Sequence, residues 1–236
     1  MMPKNRVAIL HSVDSHWGLE FMPIADAGRD ERGRSKANYA SVEDQLHRAL
    51  YDLNVGADFV FAEEPGFEGY DVLLVPPLYV ASDALLQKIA DFARAGGHVL
   101  LTLKSGFTNE WSTVRWTRAP GPLREAAGLS YQEFSSLKEP LSLKGDPFEA
   151  GAANRVSVWA ELLEPEGAQV LASYDHPPPA LLRPLSDALA READVKVRAT
   201  LVKAVAAVAD PASTAPTATS EVAHWRMDFM ECPNAS

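Results

Sequence analysis

The sequence predicts an α/β protein built on a parallel sheet. Three observations carry that expectation. Short apolar runs suited to strands stand at residues 7–10, 57–62, 71–75 and 98–103. Two segments of helical periodicity, opening at Ser41 and Ser82, lie between them. Glycine or proline marks the places where elements must stop. Strands that alternate with helices of this length imply parallel neighbours joined by right-handed crossovers, and such sheets take ligands beyond the carboxyl ends of their strands. That edge comprises residues 11–17, 76–80 and 104–111.

The first run, VAIL, suits a strand buried on both faces. Residues 11–41 are too polar and too rich in glycine and arginine for a strand, and read mostly as a loop or insertion. The first helix is predicted with Ser41 as N-cap, Asp44 three residues on, and Leu46, Leu50 and Leu53 on one face; Asn54 and Gly56 stand where it should stop. After the strand at 57–62, Pro65-Gly66 makes a turn, and Pro76-Pro77 ends the strand at 71–75 because proline offers no ladder donor. Ser82 caps the second helix, in which Leu85, Ile89 and Phe92 share a face with Leu86, Ala90 and Ala93, and Gly96-Gly97 supply the stop. A short helix, PLREAAG, follows Gly121, and residues 131–143 read as extended. Residues 156–163 and 168–174 are predicted strands joined by the turn EPEG.

Composition excludes several roles. With 236 residues, 47% of them hydrophobic, the chain can bury a real core in one domain and carry a tail. A formal charge of −10 argues against nucleic acid, whose binding rests on clustered Lys and Arg. Only four consecutive apolar residues precede His11, too few for a secretion signal or a membrane span, so a cytoplasmic protein without a membrane partner is expected. Cys232 is the single cysteine, four residues from the end, which leaves neither an internal disulfide nor a cysteine metal site.

Candidate chemistry is sparse, and no catalytic residue, metal or cofactor is assigned. His11, Asp14 and His16 offer three ligand types after a strand end, but a locally hydrogen-bonded polar loop is the preferred reading. Asn109, Glu110 and Trp111 combine an amide, a carboxylate and a flat ring, the equipment for holding a sugar. An interface is preferred, because Trp111, Arg115, Trp116 and Arg118 have the composition of a protein contact; in an intact enzyme the loop could face a sugar pocket. Trp17, near Phe21 and Met22, reads as a packing anchor.

Several patches in a fixed order carry a resemblance. VAILHSVDSHWGLEFMP, LYDLNVGADFVF, residues 71–116 and APGPLREAAGLSYQEFSSL are similar to the middle, trimerisation domain of family 42 β-galactosidases over roughly residues 6–177. The resemblance implies a flavodoxin-like sheet with helices on both faces, akin to class I glutamine amidotransferases. It also implies a homotrimer and, as partner, a (β/α)8 barrel holding two catalytic glutamates. Such a barrel takes about 250 residues by itself, so the paired carboxylates of a glycosidase are not expected here. An amidotransferase would place a cysteine on the turn after a strand. This chain has Lys104, Ser105 and Gly106 there, and Ser105 beside glycine is read as a turn residue rather than a nucleophile.

The resemblance divides the chain into a domain of residues 1–176 and a divergent tail of 177–236. The tail is rich in alanine and proline and lacks the strand expected to close the sheet, which would leave an edge open. Residues 186–208 are predicted as a loose helix and 211–220 as a linker. A frameshifted or recombined end would account for the break. The sequence therefore predicts a non-catalytic trimerisation domain involved in carbohydrate metabolism. Two alternatives stand beside it: a degenerate amidotransferase-like domain that binds a small molecule such as a sugar, and a nonfunctional remnant.

Overall fold

A computed structural model describes residues 5–24, 38–63, 66–175 and 200–201. Its centre is a parallel sheet of β1 (Val7–His11), β2 (Ala57–Phe61), β3 (Val72–Val75) and β4 (His98–Leu101), in the order β2-β1-β3-β4. The register sets Ile9 beside Phe59 and Leu74, and Leu74 beside Leu100. Side chains alternate across a strand, so β1 serves two cores at once. Ala8 and Leu10 join Leu73, Val75 and the helix α3 (Asp83–Arg94) on one face, while Val7 and Ile9 pack with Leu46 and Leu50 of α2 (Tyr39–Asp52) on the other. Mixed α/β architecture with helices on both faces follows directly from that alternation.

Helix α3 forms as the letters predict. Ser82 Oγ accepts the Leu85 N–H at 3.2 Å, the predicted apolar face is buried apart from half-buried Phe92, and Gly96 at φ +96° lets the chain leave. Each of Leu85, Leu86 and Ile89 contributes roughly 1.5–3 kcal/mol by leaving water. Helix α2 starts three residues earlier than predicted. Asn38 is its N-cap, and Ser41 sits at the third helical position, where its side chain answers the Asn38 N–H in a capping box. Asn54, at φ +55°, ends the segment, and Leu53 is exposed rather than on the buried face.

The described part of residues 11–41, namely 11–24 and 38–41, is not mainly loop. Val13–Phe21 form the helix α1, capped by Ser12, whose Oγ accepts the Ser15 N–H. Beyond the sheet, the turn Gly121–Leu123 and the one-turn helix α4 (Arg124–Ala127) end at Gly128, φ +63°. An antiparallel region follows: β5 (Leu129–Ser136), β6 (Leu141–Lys144), β7 (Arg155–Val156), β8 (Trp159–Pro165), β9 (Ala172–Tyr174) and β10 (Thr200–Leu201). The two strands on either side of EPEG do not pair with each other. β8 pairs with β5, with a register shift between Tyr131 and Glu133, and β9 pairs with β6 and β10. Thr200–Leu201 are thus strand, where the sequence predicts helix, and they supply a neighbour to β9. The rest of the tail, including residues 211–220 and Cys232, lies outside the described residues.

Candidate functional site

The carboxyl edge of the sheet is stitched from three segments. Ser15, fully buried in α1, donates from Oγ to the Val80 carbonyl at 2.9 Å and accepts the Val80 N–H at 3.0 Å, which ties the helix to the segment after β3. Val80 then pairs with Thr108, whose hydroxyl donates to the Tyr79 carbonyl at 2.9 Å. Gly18 allows the close approach: a Cβ there would meet Val80 at 3.1 Å and Tyr79 at 3.2 Å. Ser105 is buried, donating to the Thr102 carbonyl and accepting the Leu78 N–H. Its hydroxyl holds a turn together.

Lys104 sits at the elbow after β4, with φ +56° and a nearly buried side chain. Its Nζ lies 4.2 Å from the centroid of the Trp159 ring and 5.5 Å from that of Tyr79. Glu161 Oε1 accepts the Lys104 N–H at 2.7 Å and the Trp159 indole N–H at 3.1 Å. Burial lowers the Lys104 amine to about 8, against the pull of Glu161. Burial likewise pushes the Glu161 carboxyl up to about 7, although both N–H donors and the Lys104 charge oppose it. The group is a structural joint between the parallel sheet and β8.

At the other side of the edge, His11 Nδ1 and Glu43 Oε1 are 2.7 Å apart. Tyr39 bridges β1 and α1: its hydroxyl donates to the Leu10 carbonyl and accepts the Ser12 N–H. Burial raises its phenol far above the ordinary value. The His16 ring stacks on Tyr39 and on Trp17, with centroids 5.6 and 6.0 Å away. His11 and His16 are thus partnered by carboxylates and rings; no group of three or more potential metal ligands occurs among the described residues.

Large apolar side chains decorate this edge without cover. On α1 they are Val13, Trp17 and Phe21, followed by Met22; on the loop after β4 they are Trp111, Val114 and Trp116. Trp116 is completely exposed and Phe21 is 83% exposed.

The family of β-galactosidase trimerisation domains matches residues 5–186, well over half of the sequence. The chain belongs to that family. Among curated relatives, this trimerisation domain is 29% identical over 171 residues to the β-galactosidase BgaA of Clostridium cellulovorans and 28% identical over 173 residues to BgaP of a Planococcus species. In both cases the alignment takes in 72% of this chain and 24% of the relative, so the domain spans about a quarter of their length. Among solved structures, the cold-adapted β-galactosidase from Rahnella sp. R3 superimposes with a TM-score of 0.61 at 28% identity, covering 74% of this chain and 25% of that one. The β-galactosidase from the haloarchaeon Halorubrum lacusprofundi gives 0.63 at 25% identity, covering 75% and 25%.

Seen on the trimerisation domain, the predicted site residues divide into two sorts. Trp17, Glu110, Trp111 and Trp116 stand in solvent, as does Asp14 in the first turn of α1. Trp17 is no packing anchor within the chain: it is 58% exposed. The others are occupied inside the domain. His11 faces Glu43, Asn109 Oδ1 accepts the N–H groups of Trp111 and Thr113, and the buried Arg115 guanidinium pairs with Asp83 and donates to the Ala81 carbonyl. The joint of Lys104, Trp159 and Glu161 is not among the sequence-predicted site residues. The available signal is a glutamate placed between the apolar Ala160 and Leu162 of a strand.

Proposed function

We propose that this domain works by contact, closing three copies into a homotrimer without catalysis of its own, as an assembly module of a β-galactosidase in carbohydrate metabolism. The observation that carries the reading is the set of uncovered tryptophans and apolar neighbours on α1 and on the loop of residues 109–118, in a member of a trimerisation family. The alignment takes in only 24% of the relatives named as β-galactosidases, which supports a (β/α)8 barrel as the partner domain. The fold we propose is flavodoxin-like and akin to class I glutamine amidotransferases. The order β2-β1-β3-β4 with helices on both faces supports the first, and the left-handed elbow at Lys104 supports the second. No helix among the described residues is long and apolar enough to cross a membrane, and the setting we propose is the cytoplasm.

Hydrogen exchange read by mass spectrometry at rising protein concentration tests this. Amides of α1 and of residues 109–118 become protected as the chain associates. Exchange at both segments that is unchanged over a hundredfold range of concentration contradicts the proposal.

A further inference from the structure

The parallel sheet ends at β4, and no described strand stands beyond it. His98 and Thr102 donate their N–H groups to the carbonyls of Asp71 and Val75 on the β3 side. Alternation along the ladder therefore turns the N–H and C=O groups of Val99 and Leu101 outward, where no described strand pairs with them. The side chains also lack cover. Val99, Leu100 and Leu101 are only half-buried, whereas β1 and β3 are buried along nearly their whole length. Where β4, α3 and α4 meet, a groove runs beside this edge, lined by the apolar Ile89, Val99, Leu101, Leu123 and Ala126. We infer that residues 202–208 (VKAVAAV) add to this edge as a fifth strand, antiparallel to β4, so that the chain closes the sheet with its own tail.

The tail is favoured by where the described chain stops. β10 ends at Leu201, paired with Ala172 of β9. In the same strand, the Tyr174 hydroxyl bonds the backbone of Glu161 in β8, and Glu161 holds the Lys104 N–H just past β4. β10 is thus linked through β9 and β8 to the carboxyl end of β4, and a strand leaving from there runs back toward His98. An antiparallel edge strand on an otherwise parallel sheet is a common arrangement. Residues 202–208 follow directly, outside the described residues. In a strand their side chains alternate: Val202, Ala204, Ala206 and Val208 take the face toward the groove, and Lys203 and Val205 take the face toward water. The helix predicted for this stretch is already replaced by strand at Thr200–Leu201. Tethering also favours the tail over a second copy, because a short connection holds it near the edge at an effective concentration of about millimolar.

Hydrogen exchange of the full chain, resolved to single amides by NMR, tests the closure. In dilute protein the Val99 and Leu101 amides should exchange slower than unprotected ones by on the order of 100-fold or more. Ala206→Asp puts a charge into the groove and should release both by about tenfold or more, while Val205→Asp, on the opposite face, should leave them protected. The Leu74 amide, inside the sheet, should stay protected in all three proteins and so reports that the domain remains folded. Fast exchange of Val99 and Leu101 in the unaltered chain overturns the closure, as do equal effects of the two variants. Protection that appears only as protein concentration rises also overturns it, and assigns the edge to a second copy.

Discussion

Glu161 Oε1 accepts the backbone N–H of Lys104 at 2.7 Å, across 57 residues of sequence, at the elbow where the parallel sheet ends. The contact fastens β8 to the end of β4 and sets a carboxylate near an amine in a place that disfavours charge on either.

Stability should therefore depend on pH through this joint. Glu161 has a folded-state pKa of about 7, above its ordinary value of 4.5, so its contribution is present in full below 4.5 and is lost as pH rises through 7. Lys104, lowered from 10.5 to about 8, works the other way: its contribution is present above 10.5 and lost as pH falls through 8. The pair gives a minimum between about 7 and 8. Urea melts from pH 4.5 to 7 should show the loss in the unaltered chain and a flatter profile in Glu161→Gln. Identical profiles for the two proteins would refute the assignment.

Ser15→Ala removes the hydroxyl that serves both the N–H and the carbonyl of Val80. Leaving buried backbone groups without partners costs about 1–3 kcal/mol each way it is measured, and a loss near 2 kcal/mol is expected here. The urea midpoint should fall at an unchanged slope.

Two glycines with left-handed backbones should respond differently to alanine. At Gly106, φ +69°, a Cβ would stand 2.5 Å from the Pro120 carbonyl oxygen, so backbone must move and the loss should exceed about 3 kcal/mol. At Gly96, φ +96°, nothing lies within 4 Å, and only backbone strain of roughly 1–2 kcal/mol applies. Thermal melts of the two variants compare them directly; equal losses would contradict the close approach at Gly106.

Trp116→Ala should leave the folding stability of the isolated subunit within about 0.5 kcal/mol, since the ring touches solvent on all sides. Its cost should appear in association alone. Denaturation of dilute protein separates the two effects.

The sequence was legible where burial follows a local period. α3 could be read whole, because Ser82, the apolar face and Gly96 all agree. α1 was not, for a physical reason: its buried residues are Ser15 and Leu19, while Val13, Trp17 and Phe21 point to solvent, so the usual stripe is inverted. An outward stripe is what an assembly surface needs, and it hides the helix from a search for inward ones. The predicted strands at 156–163 and 168–174 were found near their observed positions, yet their partners are β5 and β6, set by long-range packing of residues such as Leu141, Ala160 and Tyr174 that no local pattern encodes. Among the candidate residues, the exposure of Trp111 and Trp116 fits the interface composition noted from the letters. The inward turn of Arg115 depends on Asp83, 32 residues away.

The mass of the purified chain in solution, taken by light scattering over a wide range of concentrations, bears most directly on assembly. A plateau at three times the 25.6 kDa of one chain is the predicted result. A folded species of 25.6 kDa at every concentration would contradict it.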